Sequence, residues 1–419
     1  MATKTAVPAS TQVVLHVSPQ LIKRIPDPHE TRRWCYVGTI PALEGVKLLR
    51  GSANPRLGNL KSKVAEDIRN TIQNEPQEFH LYNRGMIVSA PEANFDTEKK
   101  TLTLENPTVE NASVLWGILD GGHTFDVLNE QAQAAAGESS GAASLAALKD
   151  TWLDLKIRVG LTKDEVIAAA AANNTSVQLR PWTLANFRGQ LELVKQMVAK
   201  EMPDLVDDIA FKENETNEGT GEERYWDVLD VLQRMTLLNI VLYPGFDPSK
   251  HPVVAYASKS RVLDLYLDDP TKYKAMSQIV ASAFRMPAIV EAKLSQLSKV
   301  HGNLAFVTRA KSAEVDPALK ARNSSVRKFR FSDAVLFPIV AAMRPLIEMD
   351  GGKLQWTVDE IQFVDDHIGA LYDTFLSFYK DEVADKTNKG SLSGMGKDAS
   401  LWQLLHAKVL AILATPKRK

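Results

Sequence analysis

The sequence predicts an α+β protein, with an N-terminal α/β part followed by a mainly helical part. Three observations lead there. Short β-rich runs alternate with helical stripes as far as residue 180. After Pro181 the strand signals fade, and long stretches of helical apolar periodicity take over. A chain of 419 residues that is 44% hydrophobic exceeds what one core usually organises. Two bodies are therefore expected, 1–180 and 181–419.

The elements follow in order. Residues 11–18 and 34–40 are β-rich, the second run ending at Pro41. Over 60–73, the spacing of Leu60, Val64, Ile68 and Ile72 predicts a helix, closed by Pro76. Residues 79–90 read as a strand interrupted at Asn83-Arg84-Gly85, and 101–104 as a short alternating strand. The apolar run 114–119, stopped by Gly121-Gly122, predicts a buried strand, and 125–136 a helix. Residues 137–143 read as a Gly/Ser/Ala loop, and 152–161 alternate as a strand. Thr162 and Glu165 have capping-box spacing at the head of an alanine-rich helix. Helices are then expected over 184–201, 226–243, 273–299, 332–349, 356–379 and 401–413. Exposed loops are expected at 212–224 and 386–397, and Tyr225 and Trp226 as packing core.

Bulk properties narrow the function classes. Net charge is -1, so nucleic-acid binding would need a local patch. The single cysteine, Cys35, makes no intramolecular disulfide and no thiolate zinc site, and reads as a small buried hydrophobe. No apolar run has the length of a membrane span, and the first ten residues lack a secretory pattern. A cytoplasmic protein without a membrane partner is the expectation. No metal spacing, nucleophile elbow or Walker sequence occurs, so no metal ligand is assigned.

Three stretches carry polar chemistry. Asp120-Gly121-Gly122-His123-Thr124 joins a buried strand to a helix. Such a junction offers outward backbone N–H groups, close approach over glycine and the positive end of a helix dipole, which together suit a phosphate. His123 and Asp120 are the candidate catalytic groups, and Gly121, Gly122 and Thr124 candidate phosphate ligands. Taken alone, Gly-Gly before a helix is more often a plain tight turn. Asn83 and Arg84 form the second stretch, where the rigid guanidinium fork suits phosphate and a surface arginine beside a bulge is the alternative. Asn173-Asn174 is the third, either a helix C-cap or a pair of ligands to base, sugar or phosphate.

These stretches occur in a recognisable order: Asn54-Pro55-Arg56-Leu57-Gly58, Phe79 to Gly85, Ile118 to Thr124, then Asn173-Asn174-Thr175-Ser176. Over about residues 50–200 the pattern resembles the abortive-infection phage-resistance (AIPR) family. Arg84 stands where that family has Asn, Asp120 where it has Asn, and His123 where it has Gln. The last two changes make the turn similar to the Asp-Gly-Gln-His-Arg signature of ParB/sulfiredoxin-like and DndB-type proteins, with Thr124 in place of the final Arg. The resemblance implies a mixed-sheet ParB/sulfiredoxin-like α/β domain binding nucleotide phosphate at Gly121, Gly122 and His123. Arg84 or Arg56 would supply the missing guanidinium. It also implies anti-phage defence, with a nucleoside triphosphate and Mg2+ as candidate cofactors, a phage-derived trigger, and a helical half that senses or forms a homo-oligomer.

Two alternatives stand beside this. Arg327, Lys328 and Arg330, interleaved with Phe329 and Phe331, form a candidate nucleic-acid grip for a non-enzymatic DNA-binding regulator of the DndB type. A solvated strand with inward phenylalanines gives the same pattern. Asp120, Asp154 and Lys156 have the residue types of a metal-dependent nuclease.

Overall fold

A computed structural model describes residues 10–54, 58–107, 115–136, 141–173, 180–247, 249–297, 300, 306–314, 316–319, 327–384 and 392–415. The chain is α+β and divides into two compact units, Met1–Arg188 with Lys212–Glu215, and Gly189–Phe211 with Thr216–Lys419.

The first unit contains β1 (Ser10–His16), β2 (Ile22–Pro26), β3 (Trp34–Pro41), α1 (Ala42–Gly45), α2 (Lys63–Asn74) and α3 (Phe79–Tyr82). It continues with β4 (Met86–Ala90), β5 (Glu92–Asp96), β6 (Thr101–Pro107), β7 (Gly117–Asp120), α4 (Gly122–Ala136), α5 (Gly141–Asp150), β8 (Trp152–Val159), α6 (Lys163–Asn173) and α7 (Pro181–Phe187). Its main sheet has five strands in the order β2-β3-β8-β4-β7. The β4–β8 pair is parallel and the other pairs antiparallel, so the sheet is mixed. A second, antiparallel sheet runs β1-β6-β5.

Strand alternation builds this core. Leu153, Leu155, Ile157 and Val159 of β8 are all buried on one face, while Asp154 is exposed on the other. In β7, Ile118 packs with Ile68 and Ile72 of α2 and Val127 and Leu128 of α4. Its neighbour Leu119 packs with Val166 and Ala170 of α6. A strand with both faces covered reads as a continuous apolar run, as 114–119 does. The capping box at α6 is present: the Thr162 N–H donates to Glu165 at 2.8 Å, and the Glu165 N–H to the Thr162 hydroxyl at 3.3 Å. Glu165 also pairs with Arg32 and Arg33, each at 2.9 Å. The Thr162 N–H, then the Thr162 hydroxyl and Arg32, outweigh burial and hold its carboxyl down at about 2.

Several expectations are corrected. Residues 79–82 form a helical turn instead of a strand: Pro76 opens a 3-10 turn, and the Asn83 N–H closes on the Phe79 carbonyl at 2.8 Å. Asn83-Arg84-Gly85 is thus a loop before β4, and the irregular register lies between Ile87 and Val88. In α2 the buried stripe is Ala65, Ile68 and Ile72, whereas Leu60 and Val64 are exposed. Residues 141–143 belong to a helix, with 137–140 outside the described residues. Cys35 is half-buried on β3.

The second unit carries α8 (Glu192–Glu201), β9 (Ile209–Ala210), β10 (Trp226–Asp227), α9 (Val228–Leu238), α10 (Val253–Ala257), α11 (Lys259–Asp268), α12 (Thr271–Lys274) and α13 (Val280–Leu294). It then carries β11 (Val307–Glu314), β12 (Arg327–Phe331), α14 (Asp333–Ala341), β13 (Ile347–Asp350), β14 (Lys353–Trp356), α15 (Glu360–Ala384), α16 (Leu392–Lys397) and α17 (Ala399–Ala414). Four of the expected long helices, 184–201, 226–243, 273–299 and 332–349, are shorter here, whereas α15 and α17 run 25 and 16 residues. Gly189, at φ 76°, stops the expected 184–201 helix. The 332–349 and 356–379 helices give up their facing ends to the β13–β14 hairpin, turned by Gly351 and Gly352 at φ 52° and 77°. Asp227 caps α9 through a capping box with Asp230, so that helix begins at Val228. A 3-10 turn at Ala275–Gln278 divides the expected 273–299 helix. Residues 392–397 are helical where a loop was expected, and 386–391 lie outside the described residues. Trp226 is buried, but Tyr225 is exposed and meets its indole edge-on. No helix among the described residues is long and apolar enough to cross a membrane.

Candidate functional site

The first unit contains a cavity of ≈ 520 Å³ where β7 ends and β4 begins. That volume falls in the usual range for small-molecule sites. One wall is the turn Asp120 to Thr124, which opens α4. The Phe125 N–H donates to the Gly121 carbonyl at 3.0 Å, so the helix ladder starts there. N–H groups of the first turn of an α-helix have no partner within the helix and carry the positive end of its dipole. A second wall is Asn83-Arg84-Gly85, and α2 contributes a third through Val64, Asp67, Ile68 and Thr71. Phe79 and Tyr82 of α3 and Asn54 and Gly58 complete the lining.

Glycine makes this approach possible. Gly121 has φ 83° and Gly85 φ 73°, both left-handed. A Cβ on Gly121 would stand 2.5 Å from the Gly85 carbonyl oxygen, and one on Gly85 would stand 2.1 Å from that of Asp154. The end of β7, the start of β4 and the backbone of β8 at Asp154 are therefore stacked one on another. Asn83 links the two loops: its Oδ1 accepts from the Gly85 N–H at 2.8 Å and the Thr124 hydroxyl at 3.2 Å.

Asp120 and His123 also serve the turn. One carboxylate oxygen of Asp120 accepts the Gly121 N–H at 2.7 Å. His123 Nε2 accepts the Asn59 N–H at 3.2 Å, which assigns the proton of a neutral ring to Nδ1. Arg84 is exposed on the cavity wall and makes no ion pair or hydrogen bond among the described residues.

Asp120, Gly121, Gly122, His123, Thr124, Asn83 and Arg84 thus share one cavity. Asn173 does not line it; its side-chain amide donates to the Ala169 carbonyl at 2.6 Å, the helix-end role. Arg56 and Asn174 lie outside the described residues. Arg327 is on β12 of the second unit, with Lys328 and Arg330 exposed and Phe331 buried, the alternation of a solvated strand. Asp154 does not line the cavity and accepts from the Thr39 hydroxyl at 2.9 Å. Among the described residues no three His, Cys, Asp or Glu side chains converge as a metal site would need.

Sequence reasoning missed Asp67, Thr71 and Tyr82. Asp67 and Thr71 are four apart on α2, one step from the apolar stripe. That spacing marks a polar edge facing the same side as Ile68. Arg50 was also missed. It pairs closely with Asp126 of α4 and lies over the Phe125 ring at 5.4 Å, fastening the residue-50 segment to the helix.

A family model described as AIPR protein matches residues 52–388, a span that includes the whole cavity and extends into the second unit. No curated protein and no solved structure matches the chain.

Proposed function

Because the chain belongs to the AIPR family, we propose that it acts in abortive infection against phage and that the cavity beside Gly121 is its working site. The ligand group is a phosphate, of a nucleotide or of a nucleic acid. One observation carries this reading: Arg84, whose guanidinium is unpaired among the described residues, shares a cavity with the first turn of a 15-residue helix entered through Gly121-Gly122. Arg84 occupies the role implied for the arginine that Thr124 replaces. Gly122 and Thr124 offer backbone N–H groups, and Asn83 holds the two loops at a fixed separation.

Binding is favoured over chemistry at this site. Both candidate catalytic groups, Asp120 and His123, already hold the turn and the residue-59 loop through hydrogen bonds. We assign them to positioning. The test is equilibrium binding and turnover of ATP, GTP and CTP, with and without magnesium and DNA, in wild type, Arg84→Ala and His123→Ala. Arg84→Ala is expected to weaken binding by roughly tenfold or more, about the worth of a charged hydrogen bond, 1.5–3 kcal/mol. His123→Ala is expected to weaken it less. Unchanged affinity in both variants rejects the site. DNA retention that depends on Lys328 and Arg330 and weakens with salt would move the function to β12. Phage plating on cells expressing wild type or Arg84→Ala tests the defence role itself.

A further inference from the structure

The cavity has an acidic side as well as a basic one. Asp67, exposed on α2, lines the cavity, opposite in charge to Arg84. Its carboxylate makes no ion pair or hydrogen bond among the described residues; the Thr71 hydroxyl bonds the Asp67 backbone carbonyl instead, at 2.9 Å. A pure phosphate-backbone groove has no use for such a group. A carboxylate beside successive phosphates is repelled by them, while a carboxylate beside a sugar accepts two hydroxyl protons. At the rim, Tyr82 lines the cavity and is itself 65% exposed. An aromatic face held in water next to a polar site suits a planar base, and stacking of this kind tolerates any base.

We propose that the cavity selects a single ribonucleoside 5′-phosphate over a polynucleotide, with Asp67 accepting from the ribose 2′- and 3′-hydroxyls. This rests on the phosphate-site reading above. Arg84 and the first turn of α4 take the phosphate, Asp67 the sugar edge, and Tyr82 the base. Carboxylate recognition of a ribose 2′-hydroxyl is a general solution in nucleotide sites, because two short charge-assisted bonds form to a cis-diol. It also excludes a polymer, in which the 3′-oxygen carries the next phosphate and would face Asp67.

The experiment is calorimetric titration of the full chain with AMP, GMP, CMP and UMP, their 2′-deoxy counterparts, adenosine 3′,5′-bisphosphate and inorganic phosphate. It is run on wild type, Asp67→Ala and Arg84→Ala, with circular dichroism melts to check each fold. Wild type is expected to prefer at least one ribonucleotide over its deoxy form by tenfold or more, and to bind the 3′,5′-bisphosphate more weakly than AMP. Asp67→Ala is expected to bring ribo and deoxy forms within twofold and to tighten the bisphosphate. Arg84→Ala is expected to weaken ribo and deoxy forms equally. Equal wild-type affinity for ribo and deoxy forms, or tighter binding of the bisphosphate than of AMP, overturns the ribose assignment while leaving the phosphate site standing. The absence of binding by every nucleotide and by inorganic phosphate overturns both.

Discussion

Adding one methyl group at Gly121 tests how the cavity is held open. In Gly121→Ala the new Cβ would stand 2.5 Å from the Gly85 oxygen. Ordinary carbon–oxygen contacts begin near ~3.3 Å. The turn and the Arg84 loop must therefore separate by about 0.8 Å, the difference between that limit and 2.5 Å. The residue would also keep φ 83°, which costs an L-residue about 1–2 kcal/mol. Overpacking of a tight contact adds a similar amount, so the loss comes to about 3 kcal/mol. The neighbouring glycine supplies the control. Among the described residues, a Cβ on Gly122 would meet Asn54 Nδ2 at 3.3 Å and Arg50 Nη1 at 3.8 Å, with no left-handed backbone. Alanine is also the better helix former, by about 1 kcal/mol. Gly122→Ala is expected to change stability by less than about 1 kcal/mol. Urea unfolding gives both stabilities, and titration with a nucleotide gives the affinity. Gly121→Ala should bind at least tenfold more weakly, because Arg84 moves relative to the first turn of α4. If Gly121→Ala matches Gly122→Ala in both assays, the backbone stacking of these loops does not shape the site.

Three further outcomes follow from the surrounding structure. Burial, then the Arg344 cation, push the fully buried His406 down from 6.5 to about 4. The unfolded chain then binds more protons between those values, so this stability is present above pH 6.5 and lost as pH falls through 4. A displacement of that size corresponds to about 3 kcal/mol, and urea midpoints from pH 7.5 to 4.5 should decline less steeply in His406→Leu than in wild type. At α6, Glu165→Gln keeps the capping geometry but loses the charge facing Arg32 and Arg33, at a cost of about 1 kcal/mol, while Glu165→Ala loses both, about 2 kcal/mol; thermal melts in which the two coincide would contradict the cap. Arg285 is 6% exposed and its Nη2 lies 2.7 Å from both oxygens of Asp204. Asp204→Ala leaves that cation buried without its anion and should destabilise by about 3 kcal/mol or more, whereas a change under about 1 kcal/mol in chemical denaturation would mean water reaches the guanidinium.

What depends on local period and local chemistry was legible in the residues. Alternation marked β8, a continuous apolar run marked β7, and Thr162 with Glu165 marked the start of α6. Residue types likewise picked out Arg84 and the Gly121–Thr124 turn as polar segments worth following. Other features become legible only in the folded chain. Phe79 to Tyr82 look like strand formers, yet Pro76 and the Asn83–Phe79 hydrogen bond wind them into a turn with Phe79 alone in the core. Asp67 reads as one more surface acid on a helix until sheet register brings β4 beside β7 and α2 joins the same core. Asn173 has the same residue type as Asn83 but stays at the end of α6, because it serves the helix that carries it. Periodicity fixes which side of an element faces the core, whereas a site needs several elements to meet at one point. Here that meeting is set by strand pairing and by the close backbone contacts that Gly85 and Gly121 permit.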